Sequence, residues 1–188
     1  RQPDGAAPGA QGAEAGYAQP IFIGGEGRSG TTLIRVMLNS HPNIACGPES
    51  QLFRDPKVQE LFEYLSATYE GRIREYSSQP RRYLARCFRA MINAFFEGYA
   101  DKQNKKRWAE KSPLNILVID FLAELFEDDF KFIHTIRDGR DVASSILSMD
   151  WGPSTVKQAA ERWKQIIDAG KAHRGKKYYF EVRYEDLI

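Results

Sequence analysis

The chain lacks most of the features that assign a class from composition alone. Two cysteines, Cys46 and Cys87, are too few for a disulfide framework or a cysteine metal site, and they read as two reduced thiols rather than a bridge. No apolar run reaches the roughly 18 residues that a membrane-spanning helix needs, so no membrane segment lies within the chain. The formal net charge is only +2, which gives no general attraction for nucleic acid. Three histidines leave little scope for imidazole chemistry. His134 falls in a buried-strand pattern and reads as a core residue. His41 precedes Pro42 and reads as a helix-end cap, and His173 sits in a basic loop and reads as solvated. One further absence is more specific: the first glycine-rich loop has no lysine where a nucleotidase P-loop carries one.

What remains is an ordinary globular composition. The 188 residues are 42% hydrophobic and 28% charged, enough for one domain with a full core. Residues 1–19 are mainly Gly, Ala, Gln and Pro, which bury too little surface to offset ordering entropy. They read as a lead-in or linker, and the domain is expected over 20–188. The chain starts on Arg1 and stops on apolar Ile188, so both ends are expected to be truncated, with any signal or anchor lying upstream.

Strand and helix patterns alternate. Ile21-Phe22-Ile23, Asn43–Cys46, Arg107–Lys111, Lys131–Ile136 and Tyr178–Val182 read as strands. Helices are expected from Thr31, over 56–70, over 80–100, from Ser112-Pro113 to about Phe126, from Gly139 to about Met149, and over 154–170. This alternation predicts an α/β fold, a P-loop-like parallel β-sheet flanked by helices on both faces.

Two loops carry chemistry. Gly24-Gly25-Glu26-Gly27-Arg28-Ser29-Gly30-Thr31-Thr32 links the first strand to the first helix. Glycines let backbone N–H groups close around an oxyanion, and the helix start adds about half a positive charge. Arg28 adds a planar donor fork, and Ser29, Thr31 and Thr32 add hydroxyls. Arg137-Asp138-Gly139-Arg140-Asp141-Val142-Ala143-Ser144-Ser145 also follows a strand and opens a helix. Strand ends of a parallel sheet share one rim, where ligands bind, so the two motifs suit a ligand with two separate phosphate groups.

These two motifs, in this order, resemble the sulfotransferases that use 3′-phosphoadenylyl sulfate (PAPS) and release adenosine 3′,5′-bisphosphate. Arg28-Ser-Gly-Thr-Thr-Leu, Asn39-Ser40-His41-Pro42 and Cys46-Gly47-Pro48-Glu49 are similar to the tyrosylprotein sulfotransferases in particular. The resemblance covers about residues 20–188. It implies that Arg28, Ser29, Gly30, Thr31 and Thr32 hold the 5′-phosphosulfate, that Arg137 and Ser145 grip the 3′-phosphate, and that Tyr184 lies near the cofactor. It implies Glu49 as catalytic base, with Lys111, in Glu110-Lys111-Ser112-Pro113, and Arg28 stabilising the transferring group. Sulfuryl transfer moves an SO₃-like group in line to a hydroxyl, so it needs a base and cations near the leaving oxygens. Arg28 and Lys111 supply the positive charge, and no metal is expected.

The sequence departs from that pattern at Gln51, where the tyrosylprotein enzymes carry an arginine. It departs again at Ala109, where they place a cysteine, so Cys46 loses the disulfide partner that the resemblance implies. The resemblance implies a protein tyrosine as the favoured acceptor, and residues 72–111, with eleven Lys or Arg against four Asp or Glu, would suit an acidic peptide around it. A solvated helix face accounts for the same charge. A carbohydrate or small-molecule hydroxyl is the competing acceptor. The rivals of other classes are a P-loop nucleotide kinase, which needs a lysine after Gly30, and a nucleotide-binding module without turnover. Trp108, Trp151 and Trp163 read as core or helix-packing residues. The resemblance implies a Golgi-lumenal location for a tyrosylprotein-type enzyme with an upstream anchor, and a cytoplasmic one for a bacterial enzyme.

Overall fold

Ile21-Phe22-Ile23 is apolar on both sides of its pleat, and a strand of that kind needs cover on both faces. In the computed structural model, which describes residues 19–188, it forms β1 (Ile21–Gly25), buried along its whole length. The other strands are β2 (Ile44–Cys46), β3 (Arg107–Lys111), β4 (Lys131–Ile136) and β5 (Tyr179–Arg183). They join in one sheet of order β2-β3-β1-β4-β5, and every pairing is parallel. The register sets Ile23 beside Lys111, Gly25 beside Thr135, and Ile136 beside Arg183. The loops that leave these strands therefore gather on one rim, as the alternation of elements predicts. The lead-in expected over 1–19 lies outside the described residues except for Gln19, whose amide bonds Asp129.

The helices are α1 (Thr31–Ser40), α2 (Lys57–Thr68), α3 (Glu70–Ile73), α4 (Pro80–Lys102), α5 (Ile119–Phe126), α6 (Gly139–Ile146) and α7 (Val156–Lys171). Side chains alternate across the sheet. Phe22, Trp108 and Phe132 face the larger core, with Phe62 of α2, Ile92 of α4, Leu122 of α5 and Ile166 of α7. Phe22 lies at its centre, edge-on to Phe53, Trp108, Phe126 and Phe130 at centroid distances of 5.9, 5.4, 5.5 and 5.8 Å. Full burial of one such ring contributes about 1.5–3 kcal/mol. Ile21, Ile23, Cys46 and Ala109 face the other way, onto Ile34 and Leu38 of α1. That second face is thinner, and Phe180 of β5 stays half exposed there. Among the described residues no helix is long and apolar enough to cross a membrane.

Three local expectations shift. The helix expected from Ser112 begins instead as a 3₁₀ turn, Pro113–Val118, before α5. That turn presses on β1 at Gly24, where a Cβ would stand 2.8 Å from the Ile116 nitrogen. Its Asn115 amide is drawn to the Ile23 carbonyl, at 3.2 Å, and to Glu110. The Ser112 hydroxyl caps nothing; it donates to Glu110 at 2.6 Å. The expected 56–70 helix divides at Tyr69 into α2 and α3. Trp151, read as a packing residue, is 57% exposed.

Two histidine readings hold and one changes. His41 ends α1, and its Nδ1 accepts from the Asn43 amide. His173 is buried rather than solvated, because its ring turns inward onto the Tyr178 hydroxyl at 3.1 Å. His134 is fully buried, with Nδ1 2.6 Å from the Tyr179 hydroxyl. Burial lowers its pKa from 6.5 to about 4, against the opposing charge of Glu181. The unfolded chain therefore takes up this proton before the folded one does. The stability it withholds is fully present above pH 6.5 and is lost as pH falls towards 4. The loss is about 1 kcal/mol between pH 7.5 and 5.5, and about 3 kcal/mol at full effect. Urea unfolding at those two pH values should show a smaller pH-dependent shift in His134→Gln than in the parent. Equal shifts would remove His134 as the cause.

Candidate active site

The loop after β1 is built on left-handed backbone. Gly30, the cap of α1, has φ 90°, and a Cβ there would lie 2.4 Å from the Tyr184 ring. Arg28 has φ 71°, a conformation that costs a non-glycine residue about 1–2 kcal/mol. Two contacts hold it there. Arg137 Nη1 donates to the Arg28 carbonyl at 3.2 Å, and Arg28 Nε donates to Ser145 Oγ at 2.9 Å. The first bond within α1 runs from Ile34 to the Gly30 carbonyl, so the amides of Thr31, Thr32 and Leu33 have no acceptor inside the helix. Ser29 and Thr31 are buried beneath them.

The second motif meets the first directly. Asp138 caps α6 by accepting from the Arg140 amide at 2.9 Å. Its carboxyl is lowered to about 2, chiefly by the Arg140 side chain. Arg137 Nη2 lies 3.6 Å from Asp141, and its guanidinium stacks on Tyr184 at 4.6 Å. Its Nε is buried without a hydrogen-bond partner. Tyr184 thus stands between Gly30 and Arg137. It opens a 3₁₀ turn, Tyr184–Asp186, whose Glu185 accepts from the Asp138 amide at 2.8 Å. An unmet buried guanidinium N–H, a row of open helix-start amides and the Arg28 fork gather donors suited to anionic groups on this rim.

Glu49 and Lys111 form a second group on the same rim. Lys111 ends β3 with only 3% of its side chain exposed, and it pairs with Glu49, which is 36% exposed. Glu110, one residue earlier, is buried and collects Ser50 Oγ at 2.9 Å, Ser112 Oγ at 2.6 Å and the Asn115 amide. That carboxylate pins the loop carrying Glu49 to β3 and, through Asn115, to β1. Gln51 adopts φ 54° and donates its backbone amide to Ser112 Oγ at 3.3 Å. The structure thus brings together Arg28, Gly30, Arg137, Ser145 and Tyr184, and separately Glu49 and Lys111. Arg28 reaches across to the second motif through Ser145.

Sequence reasoning passed over Glu26, Glu110, Arg162 and Glu185. Glu26 carried a signal, since an acid is out of character in an anion-binding loop. It is buried, accepts from the Gly27 amide at 2.8 Å and pairs with Arg162 at 3.0 Å. Burial raises its pKa, and Arg162 opposes that shift. Cys46 and Cys87 are both free. Cys46 pairs in register with Ala109, the position where the resemblance implies a cysteine, and burial pushes its thiol up to about 12. The basic segment is largely engaged within the fold. Arg81 bridges Glu63 and Glu124, Arg82 pairs with Glu127, Arg89 pairs with Asp129, and Lys105 bonds two carbonyls.

Residues 20–188 match the model of the sulfotransferase family. The chain belongs to the sulfotransferase family. It is 29% identical over 178 residues to the protein-tyrosine sulfotransferase of Drosophila melanogaster, covering 89% of this chain and 34% of that protein. It is 32% identical to protein-tyrosine sulfotransferase 2 of Gallus gallus, covering 89% of this chain and 46% of that protein. The chain therefore spans less than half the length of these curated relatives. Among solved structures it is similar to the sulfotransferase domain of the Synechococcus PCC 7002 olefin synthase. There the TM-score is 0.60 at 25% identity, covering 90% of this chain and 68% of that one.

Proposed function

We propose that this chain carries the donor site and the base of a sulfotransferase that moves the sulfuryl group of PAPS to a hydroxyl. The favoured acceptor is a protein tyrosine. The observation that carries this reading is the convergence of two helix-start motifs on one rim, linked through Arg28, Arg137 and Ser145, beside the Glu49–Lys111 pair. PAPS, when bound, supplies an activated sulfuryl group on a phosphate leaving group.

The chain's residues do the rest. The α1 amides and the hydroxyls of Thr31 and Thr32 hold the 5′ end, with Ser29 and Gly30 shaping the loop. Arg137 and Ser145 hold the 3′-phosphate, Arg28 spans the two, and Tyr184 wedges the motifs apart. Glu49 accepts the acceptor's hydroxyl proton at Oε1 or Oε2. Lys111, fixed and nearly buried, offsets negative charge that develops beside it, where low polarity strengthens the effect. The tyrosine acceptor rests on the relatives named protein-tyrosine sulfotransferase. A Golgi-lumenal location goes with that acceptor.

Calorimetry with adenosine 3′,5′-bisphosphate, with and without Mg²⁺, followed by transfer of labelled sulfate from PAPS to a tyrosine peptide, tests the reading. Metal-independent binding with transfer supports it. Mg²⁺-dependent ATP binding in its place would support a kinase, and binding without transfer to any hydroxyl would leave only a nucleotide-binding module.

A further inference from the structure

Two consecutive residues of α7, Arg162 and Trp163, reach two different motifs of the site. Arg162 Nε meets the buried Glu26 carboxylate at 3.0 and 3.2 Å, inside the loop after β1. Glu26 in turn accepts from the Gly27 amide, and its own carbonyl accepts from the Ser29 amide at 3.1 Å. Trp163 Nε1 donates to the Arg137 carbonyl at 3.1 Å. Its ring also packs on Gly139, where a Cβ would stand 3.1 Å away. Farther along, α7 is seated on the core through Ile166 and on α6 through Ala159, which packs with Ala143 and Ile146. One helix therefore holds both strand-to-helix loops, from two adjacent positions.

We propose that α7, through Arg162 and Trp163, sets the separation of the two phosphate-holding motifs, so that both engage one bisphosphate ligand at once. The proposal rests on the donor-site reading above. A ligand with two linked phosphates gains from simultaneous engagement only when the two sites stand at a fixed and matching distance. A brace of this kind adds little to the binding of either phosphate alone. Arg162 and Trp163 are positioning residues, and the ion pair and the indole hydrogen bond are their means of acting.

The test compares adenosine 3′,5′-bisphosphate, adenosine 5′-monophosphate and adenosine 3′-monophosphate by calorimetry on the parent chain, Trp163→Phe and Arg162→Met. Trp163→Phe keeps the ring on Gly139 and removes the N–H. Arg162→Met keeps the stem and removes the charge. Each variant is expected to weaken the bisphosphate by roughly three- to tenfold while changing both monophosphates by a smaller factor. Thermal unfolding of each variant confirms that it is folded. Unchanged bisphosphate affinity in both folded variants would overturn the proposal. So would equal proportional losses for all three nucleotides, the mark of general loosening. If the parent chain binds none of the nucleotides, the donor-site reading itself fails. Failure of the brace alone leaves parental binding intact.

Discussion

Glu49→Gln is expected to lower turnover by about 10²–10⁴-fold, the usual contribution of a positioned general base. Affinity for adenosine 3′,5′-bisphosphate should stay within about twofold, because the substitution removes an interaction made at the reacting hydroxyl. The geometry makes this variant informative. Glu49 bonds the nearly buried Lys111 through one oxygen and is itself 36% exposed, which leaves carboxylate surface open towards the rim. Glutamine keeps an oxygen for Lys111, so the ammonium retains an acceptor and the loop keeps its anchor through Ser50 and Glu110. What is lost is the capacity to take a proton. Lys111→Met separates the two functions of the pair, since it leaves the base and removes the neighbouring cation. Turnover of Glu49→Gln within a factor of about five of the parent, with unchanged unfolding temperature, would remove Glu49 as the base.

The sheet and both strand-to-helix loops are legible in the sequence because each is a local pattern. Ile21-Phe22-Ile23 followed by glycines and then a helical pattern reads as a strand, a glycine loop and a helix start, and β1, Gly30 and α1 take those places. Lys131–Ile136 followed by Arg137-Asp138-Gly139 repeats the logic, with Asp138 as the cap. The supports were not legible, because they are long-range. Glu26 and Arg162 lie 136 residues apart and Trp163 reaches back 26 residues to Arg137, so no window along the chain joins them. The 3₁₀ turn after Ser112 escaped for a related reason. Ser-Pro is a sound helix start locally, but Glu110 competes for the Ser112 hydroxyl and Asn115 is held against β1. His173 sits among charged neighbours in the sequence, but its ring turns inward onto Tyr178, a contact that the local charge pattern does not signal.

Arg137→Ala carries the second large effect: affinity for adenosine 3′,5′-bisphosphate is expected to fall on the order of 10²-fold or more, as when one partner of a buried charge pair is truncated. Adenosine 5′-monophosphate, which lacks the 3′ group, should lose only about threefold, the worth of the hydrogen bond from Arg137 to the Arg28 carbonyl. The asymmetry follows from where the guanidinium sits. Three-quarters of its side chain is covered, at 25% exposure, and its Nε is buried with a hydrogen still unmet. Tyr184 closes one face of the plane at 4.6 Å. A charge so held, with an N–H still unmet, pairs with a phosphate dianion at little further ordering cost. Arg137→Lys should recover only part of the loss, because an ammonium neither stacks on Tyr184 in the same way nor offers a planar fork. The parent's bisphosphate affinity should fall more steeply with added salt than that of Arg137→Ala, since one ion pair is gone from the variant. Bisphosphate binding by Arg137→Ala within about fivefold of the parent would place the 3′-phosphate elsewhere. Arg137 would then serve to join the two loops, through the Arg28 carbonyl, Tyr184 and Asp141.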